Sequence, residues 1–541
     1  MLSPVGYKHL THLAERPTGT VASAADTVTH AAIQSFEYAL SDAAWDGGML
    51  SDELKSPVNG MSDWPLDASV ISPMDGLNGK PLNEYDAKND VSLRDIARKL
   101  PSWWPANLWF SVSLKDERRF PQEGTTSALA NQMNWSTETN WNDKTGDKRR
   151  SYAGLQIARA TSSMAIRQLA AADPAKVGAN VKALQGEMYA LEGYSEIMLA
   201  DLFCSGVPLN TFDSLSWKTV DSLYGGVRNS FNGPHLIQGL PSDERSFFKQ
   251  GKQGVTFHPG STTTQVYRDA IAKFDTALTL AHDSARIMDL ARIGKGRALL
   301  DLGQYDSAAA AVAQVQQRFV YTLHFEYQPD PDGAEVEATV ADRKGSNGLP
   351  FIFEGDPRTA TDWITTDKVI KHIRLPSKYQ CNGNTCNGQI PVASWEEAVL
   401  IQAEAALHKA LNRKSNQAAD TTWLSLLNML RFRSNITSLS DPDGSPLNSY
   451  LRDPGTDHAR ISRLFTERAY WLFLTGHRQG DLRRLVREYH WPQDQVYPTG
   501  PYVVPVRVIR TGSTYGTDVN MPIPSEERAN PHFHGCLDRG P

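Results

Sequence analysis

The residues with the most specific chemistry in this 541-residue chain are its four cysteines, Cys204, Cys381, Cys386 and Cys536. An even count permits two disulfides in three connectivities. Cys381-Asn-Gly-Asn-Thr-Cys386 is an Asn/Gly segment of the kind that makes a surface turn, and two thiols closing it are expected to form a local bridge. Cys204 and Cys536 then remain for a long-range bridge pinning the tail, although spacing alone leaves the other connectivities open. His532-Phe-His534-Gly-Cys536 offers metal-type ligands, but no second Cys-x-x-Cys pair completes a set of four, so no metal is expected. Asp330-Pro-Asp332-Gly and the Asp-Pro-Asp-Gly at 441–444 hold two acids each and lack the closing Glu of a calcium loop. They read as plain turns.

The second chemical cluster is charged. Glu467, Arg478 and Asp481 flank Ala469-Tyr-Trp-Leu-Phe-Leu474, which is apolar all round and therefore expected to be buried on most sides. Unpaired charges beside such a helix would be costly, so an ion-pair network among the three is expected rather than a catalytic site. Gly476 suits a helix C-cap, and Asp481 suits the start of the next helix. No GxSxG, HExxH, GxxxxGK[ST] or strand-borne GxGxxG is present. A carboxylate pair carries no signal among 61 acids. No catalytic residue and no cofactor is therefore assigned, and the chain reads as a non-enzyme.

Composition narrows the classes further. Lys+Arg 55 against Asp+Glu 61 gives a net charge of −6, without the basic excess of a nucleic-acid binder. The 40% hydrophobic and 21% charged content is that of a folded globular chain. No apolar run approaches the roughly 18 residues of a membrane helix. The opening MLSPVGYKHLTHLAERPTG has no basic region followed by an apolar core, and no Cys precedes Cys204. Neither a signal peptide nor a lipidation site is expected within this sequence.

The elements that must position these residues are helical. Residues 1–23 lack periodicity. A helix is predicted over Ala24–Leu40, with Ala25, Val28, Ala32, Phe36 and Ala39 on one face. Residues 45–150 then hold Trp45, Trp64, Trp103, Trp104, Trp109, Trp135 and Trp141, seven of 13 tryptophans, among Gly, Pro, Asn and Asp. They read as a long irregular insert, and loops of that length tend to be functional. Helical periodicity returns at 151–204. Gly296, Leu299, Gly303 and Ala308 follow tetratricopeptide spacing, and Ala270, Phe274 and Ala277 fit the second helix of such a unit. The expected organisation is an N-terminal segment 1–23, a helix and Trp-rich insert 24–150, a tetratricopeptide-like scaffold 151–315, a second irregular insert 316–393, and C-terminal helices and tail 394–541, all one domain. The fold class is all-α: a helical-repeat scaffold carrying long irregular inserts.

Several segments, taken in order, carry a resemblance. EMYALEGYSEIMLADLFCSGVPL, the repeat ahead of QRFVYTLHF, WEEAVLIQAEAAL, ERAYWLFLTGHRQGDLRRL and the terminal NMPIPSEERANP together resemble the SusD/RagB family of nutrient-binding outer-membrane lipoproteins. The resemblance implies a single α-helical lobe and a surface location through an N-terminal lipid. It also implies a TonB-dependent (SusC-like) transporter as partner, and an oligosaccharide or peptide as ligand. Nucleic acid and a membrane span are not implied. The absent leader and lipobox are where this sequence departs from the family. Sugars present flat C–H faces ringed by hydroxyls, so aromatic rings with nearby Asn, Asp, Arg or Gln are the side chains to seek. Trp103, Trp104, Asn107 and Trp135 in the first insert, with Tyr327 and Trp363 in the second, are the expected ligand-binding residues. The alternative function is a tetratricopeptide-type scaffold that binds other proteins.

Overall fold

A computed structural model describes residues 149–171, 180–214, 254–327, 356–364, 385–412, 420–434 and 451–500. It also describes shorter pieces at 339–340, 343, 345–352, 373–376, 381–382, 518–523, 527 and 530–541, and scattered positions between Thr29 and Lys55. The framework is helical: α1 (Arg149–Ala171), α2 (Val181–Leu202), α3 (Thr263–Leu280), α4 (Ala285–Asp301), α5 (Tyr305–Val312), α6 (Trp395–Leu411), α7 (Thr422–Arg433), α8 (Asp457–Trp471), α9 (Arg478–Arg487) and α10 (Gln493–Val496). From α1 to α7 each helix packs on its neighbour in chain order. Short connections at 281–284 and 302–304 turn the chain back on itself. The described positions from Thr29 to Gly48 are helical too, and Ala32, Phe36 and Ala39 among them are fully buried.

Local sequence explains these helices. Thr262 caps α3 through a reciprocal box, in which Gln265 N–H donates to Thr262 Oγ1 at 3.2 Å and Thr262 N–H donates to Gln265 Oε1 at 2.8 Å. Ser394 Oγ caps α6 by accepting from Glu397 N–H at 3.2 Å. The small residues of the repeat bring helices close together. A Cβ on Gly294 would lie 2.3 Å from Phe274 Cε1 and Cζ, and one on Gly296 would lie 2.5 Å from Val312 Cγ1. The freed space is filled by rings: Phe274 packs edge-on against Tyr194 at a centroid distance of 5.2 Å. Gly303, at φ +69°, makes the turn between α4 and α5. The buried apolar residues form one continuous cluster from Ala32 to Ile523.

The strands are short and lie between the helices. They are β1 (Leu54–Lys55), β2 (Val207–Pro208), β3 (Thr211–Ser214), β4 (Gly254–Thr256), β5 (Gly260–Ser261), β6 (Val320–Tyr327), β7 (Thr339–Val340), β8 (Thr361–Ile364), β9 (Ile373–Pro376), β10 (Cys381–Asn382) and β11 (Thr385–Ser394). All pairings are antiparallel: β1 with β7, β2 with β5, β3 with β4, β8 with β9, and the three-stranded sheet β10-β11-β6. Residues 316–393 were expected to be irregular, and here the structure differs. They carry β6 to β11, because Tyr321 and Leu323 on β6 and Ile390 and Val392 on β11 alternate at period two and bury one face.

Candidate functional site: an ion-paired frame and a β-rich edge

Helices α8 and α9 carry a lattice of buried charges. Arg468 donates to Asp481 from Nε at 2.9 Å and from Nη2 at 2.8 Å. Arg484 spans three acids: Asp481 at 2.8 Å, Glu404 of α6 at 3.0 Å and Asp301 of α4 at 2.6 Å. Arg478 grips Asp52 at 2.7 and 2.9 Å, which ties the segment before β1 to α9. Glu467 accepts from Arg358 at 2.7 Å and from Arg431 of α7. Arg297 forks onto Glu397 at 2.7 and 2.9 Å.

Glu467, Arg478 and Asp481 are thus all paired and buried, but not to one another: Glu467 pairs with Arg358 and Arg431, Arg478 with Asp52, and Asp481 with Arg468 of α8 and with Arg484 of its own helix. Glu467 lies on α8 and Arg478 and Asp481 on α9, and each meets a guanidinium or carboxylate from the element packed beside it, so the expected mutual network gives way to pairs with other residues. Asp481 lies in the first turn of α9 and His477 takes the N-cap position. Gly476 ends the preceding segment at φ +82°.

The electrostatics follow from burial against charge. Burial pushes the Glu467 carboxyl up, but Arg358 and Arg431 outweigh it and hold it at about 2. Burial likewise opposes Arg297 and His477 at Glu397, which is held at about 2. Asp481 is lowered by Arg468 and Arg484 against the same burial penalty. Asp201 goes the other way: burial, then the neighbouring Asp301 charge, raise it, and the Tyr267 hydroxyl donates to it at 2.5 Å. Glu196 is also raised by burial, although Arg159 lies 3.0 Å away. The lowered carboxylates are committed to guanidinium groups, so the lattice acts as a rigid frame.

The tail is fastened to that frame. Cys204, after α2, and Cys536 are joined at an S–S distance of 2.03 Å across 332 residues. Backbone bridges Phe203–Met521 and Ser205–Asp538 flank the bond. Cys536 is therefore no thiolate ligand. Among the described residues no group of three His, Cys, Asp or Glu could hold a metal ion, and no helix is long and apolar enough to cross a membrane.

The expected ligand residues divide. Trp103, Trp104, Asn107 and Trp135 lie outside the described residues, as do both Asp-Pro-Asp-Gly turns. Tyr327 ends β6 and stands opposite Cys386 on β11, which stands opposite Cys381 on β10. Trp363 stands on β8 opposite Arg374 on β9. Strand β8 lies beside β10, and β9 beside β7. The Tyr327 position on β6 and the Trp363 position on β8 are thus separated by β11 and β10. Cys381 and Cys386 are direct register partners on β10 and β11. The pairing of β8 with β9 is what the sequence reading missed; its signal is the short alternation in Ile373-Arg-Leu-Pro376 and in Thr361-Asp-Trp-Ile364.

No family model matches the chain, and no curated protein matches it. Similar solved structures do exist. Surface glycan-binding protein A from Bacteroides uniformis is 12% identical, with 94% of this chain and 98% of that chain covered at a TM-score of 0.44. A SusD superfamily protein from Bacteroides fragilis is 12% identical over 94% of this chain and 98% of that one, at a TM-score of 0.48. A SusD homolog from Bacteroides thetaiotaomicron is 11% identical over 97% and 99%, at a TM-score of 0.46.

Proposed function

We propose that the chain is a glycan-binding protein of the SusD/RagB type that holds its ligand without cleaving it and passes it to a TonB-dependent outer-membrane transporter. One observation carries the reading. The family-like blocks at 187–209, 395–407 and 467–485 converge on one buried, ion-paired frame, through Glu404, Asp481 and Arg484 together with α2. The aromatic positions outside those blocks, Tyr327 and Trp363, belong to the strands of the second insert, β6 and β8. Aromatic rings beside polar side chains suit the C–H faces and hydroxyls of sugars. The buried acids of the frame are spent on arginines, which supports binding without catalysis.

The remaining expected ligand residues, Trp103, Trp104, Asn107 and Trp135, belong to the same proposal. So do a surface location through a lipid anchor and the division of one domain at 24–150, 151–315, 316–393 and 394–541. A protein-docking scaffold is less well supported. Among the described residues the exposed large apolar side chains are Val320, Phe432 and Leu537, and helix faces α1 to α7 are spent on one another.

The test is titration of glycans into the full chain and into Trp363→Ala and Trp135→Ala. Loss of one ring removes roughly 1–3 kcal/mol of apolar burial, or about 5- to 150-fold in affinity. Unchanged affinity in both folded variants would remove these residues from the site, and binding of peptides with no glycan bound would replace the ligand class.

A further inference from the structure

One buried carboxylate stands where both inserts meet the helical frame. From its bonds we infer that Asp52 is a positioning residue that locks the first insert to the second, so that the two hold a ligand as one body; the inference rests on reading the inserts as the ligand-bearing parts. Asp52 is 2% exposed. Its Oδ1 accepts from Arg478 Nε at 2.7 Å, and its Oδ2 accepts from Arg478 Nη2 at 2.9 Å and from the Leu349 N–H at 3.0 Å. A single side chain near the start of the first insert thereby reaches the second insert, 297 residues on, and α9, 426 residues on. Glu53 ties the same stretch to the frame by accepting from the Leu474 N–H at 2.8 Å. The next two residues form β1 and pair with β7 of the second insert, Leu54 with Val340 and Lys55 with Thr339.

The second insert has its own hold on the frame. Asn347 donates from Nδ2 to the Tyr497 carbonyl at 2.8 Å and accepts at Oδ1 from the Thr499 N–H at 3.1 Å. Phe351 packs on Tyr470 and Phe473, at centroid distances of 5.4 and 4.8 Å. The first insert meets this anchored segment through the Asp52–Leu349 bond and the β1–β7 ladder. Two paired residues make a ladder too short to stand alone in water. The carboxylate sets where that ladder starts. An apolar side chain could fill the same space, but three directional bonds, two of them from a forked guanidinium, also fix the course of the chain. Burial pushes the Asp52 carboxyl up, but Arg478 and the Leu349 N–H outweigh it and lower it, so the bonds are charge-assisted. Removing the acid severs all three at once and leaves Arg478 buried without its partner.

The experiment is hydrogen exchange read by mass spectrometry on the full chain, with Asp52→Ala and the milder Asp52→Asn. Asp52→Ala should speed exchange roughly 10-fold or more in peptides covering 52–55, 339–340 and 345–352, because hydrogen bonds to a charged group are lost there. Peptides of α2 and α6 should keep the parent's rates, and Asp52→Asn should fall between. The register partners Leu54 and Val340 lie about 4.5–5.5 Å apart at Cα, within disulfide reach. Leu54→Cys with Val340→Cys, once oxidised, should therefore return 52–55 and 339–340 towards the parent's rates in the Asp52→Ala background. Calorimetric titration with maltohexaose, xylohexaose and mannohexaose supplies the functional reading. A sugar that binds the parent should bind Asp52→Ala about 10-fold more weakly and regain affinity when the cysteine pair is oxidised. A residue serving overall stability alone would leave the folded variant's affinity unchanged. Unchanged exchange at 339–340 and 345–352, an equal rise throughout α2 and α6, or an affinity untouched by Asp52→Ala would overturn the inference. Failure of all three sugars to bind the parent would count against the glycan-binding reading alone, since the exchange rates decide the coupling by themselves.

Discussion

Replacing Gly294 by alanine tests the packing that holds the helical frame together. At an ordinary helix interior this change stabilises by about 0.5–1 kcal/mol, because glycine loses more backbone entropy on folding. Gly294 lies within α4 and is buried. An added Cβ would lie 2.3 Å from Phe274 Cε1 and Cζ and 2.9 Å from Tyr194 Cζ. Those rings are themselves fully buried and packed edge-on, so neither can swing into solvent. Overpacking of this kind costs about 1–3 kcal/mol, occasionally more. The clash outweighs the propensity gain at most positions in that range, and the expected net effect is destabilisation of about 1–2 kcal/mol. The assay is urea unfolding followed by far-ultraviolet circular dichroism, with Phe274→Leu and the double variant alongside. Phe274→Leu alone should destabilise by leaving a cavity. In the double variant the methyl occupies part of that cavity, so its loss should be smaller than the sum of the two single losses. A Gly294→Ala protein as stable as its parent, or additive losses in the double variant, would refute the close approach of α3 and α4.

Four further outcomes are expected. Asp481→Ala leaves Arg468 without its main acid and should cost roughly 3–5 kcal/mol, read by the same unfolding assay. Glu467 is held at about 2 in the fold, so its contribution is present above the unfolded value near 4.3 and is lost as pH falls from there towards 2; Glu467→Gln should show a shallower acid-unfolding slope over that window. Asp201 is raised in the fold, so its ionisation opposes folding as pH rises from about 4, and Asp201→Asn should lose less stability than the parent between acid and neutral pH. Cross-strand partners lie about 4.5–5.5 Å apart at Cα, within the disulfide range, so peptide mapping without reductant should recover Cys381 linked to Cys386; recovery of two alkylated thiols would reject that bridge.

The helical part of this fold is readable because its signals are local. The Gly296, Gly303, Ala308 spacing fixes both a close approach and a turn, and Trp395 to Leu411 declares a helix by periodicity and by its Ser394 cap. The sheet in 316–393 was missed for a different reason. Its strands β6 and β11 are separated by some 60 residues, and the alternation in β11 is interrupted by Asn387, Gly388 and Pro391. The charge lattice was half legible. That Glu467 and Asp481 need partners follows from the apolar helix beside them. That the partners of Glu467 are Arg358 and Arg431, and that of Arg478 is Asp52, depends on contacts 36 to 426 residues distant. The same limit applies to the site. Tyr327 and Trp363 are identifiable as aromatics in an insert, but the register position of each, Tyr327 opposite Cys386 and Trp363 opposite Arg374, exists only once the strands pair.

The measurement that bears most directly on the central claim is equilibrium titration of the full chain with a panel of oligosaccharides, followed by chromatography of the recovered ligand. The expected result is saturable binding of at least one glycan, weakened in Trp363→Ala, with the ligand recovered at its original length after prolonged incubation. Absence of saturable glycan binding, or recovery of shortened products, would contradict it.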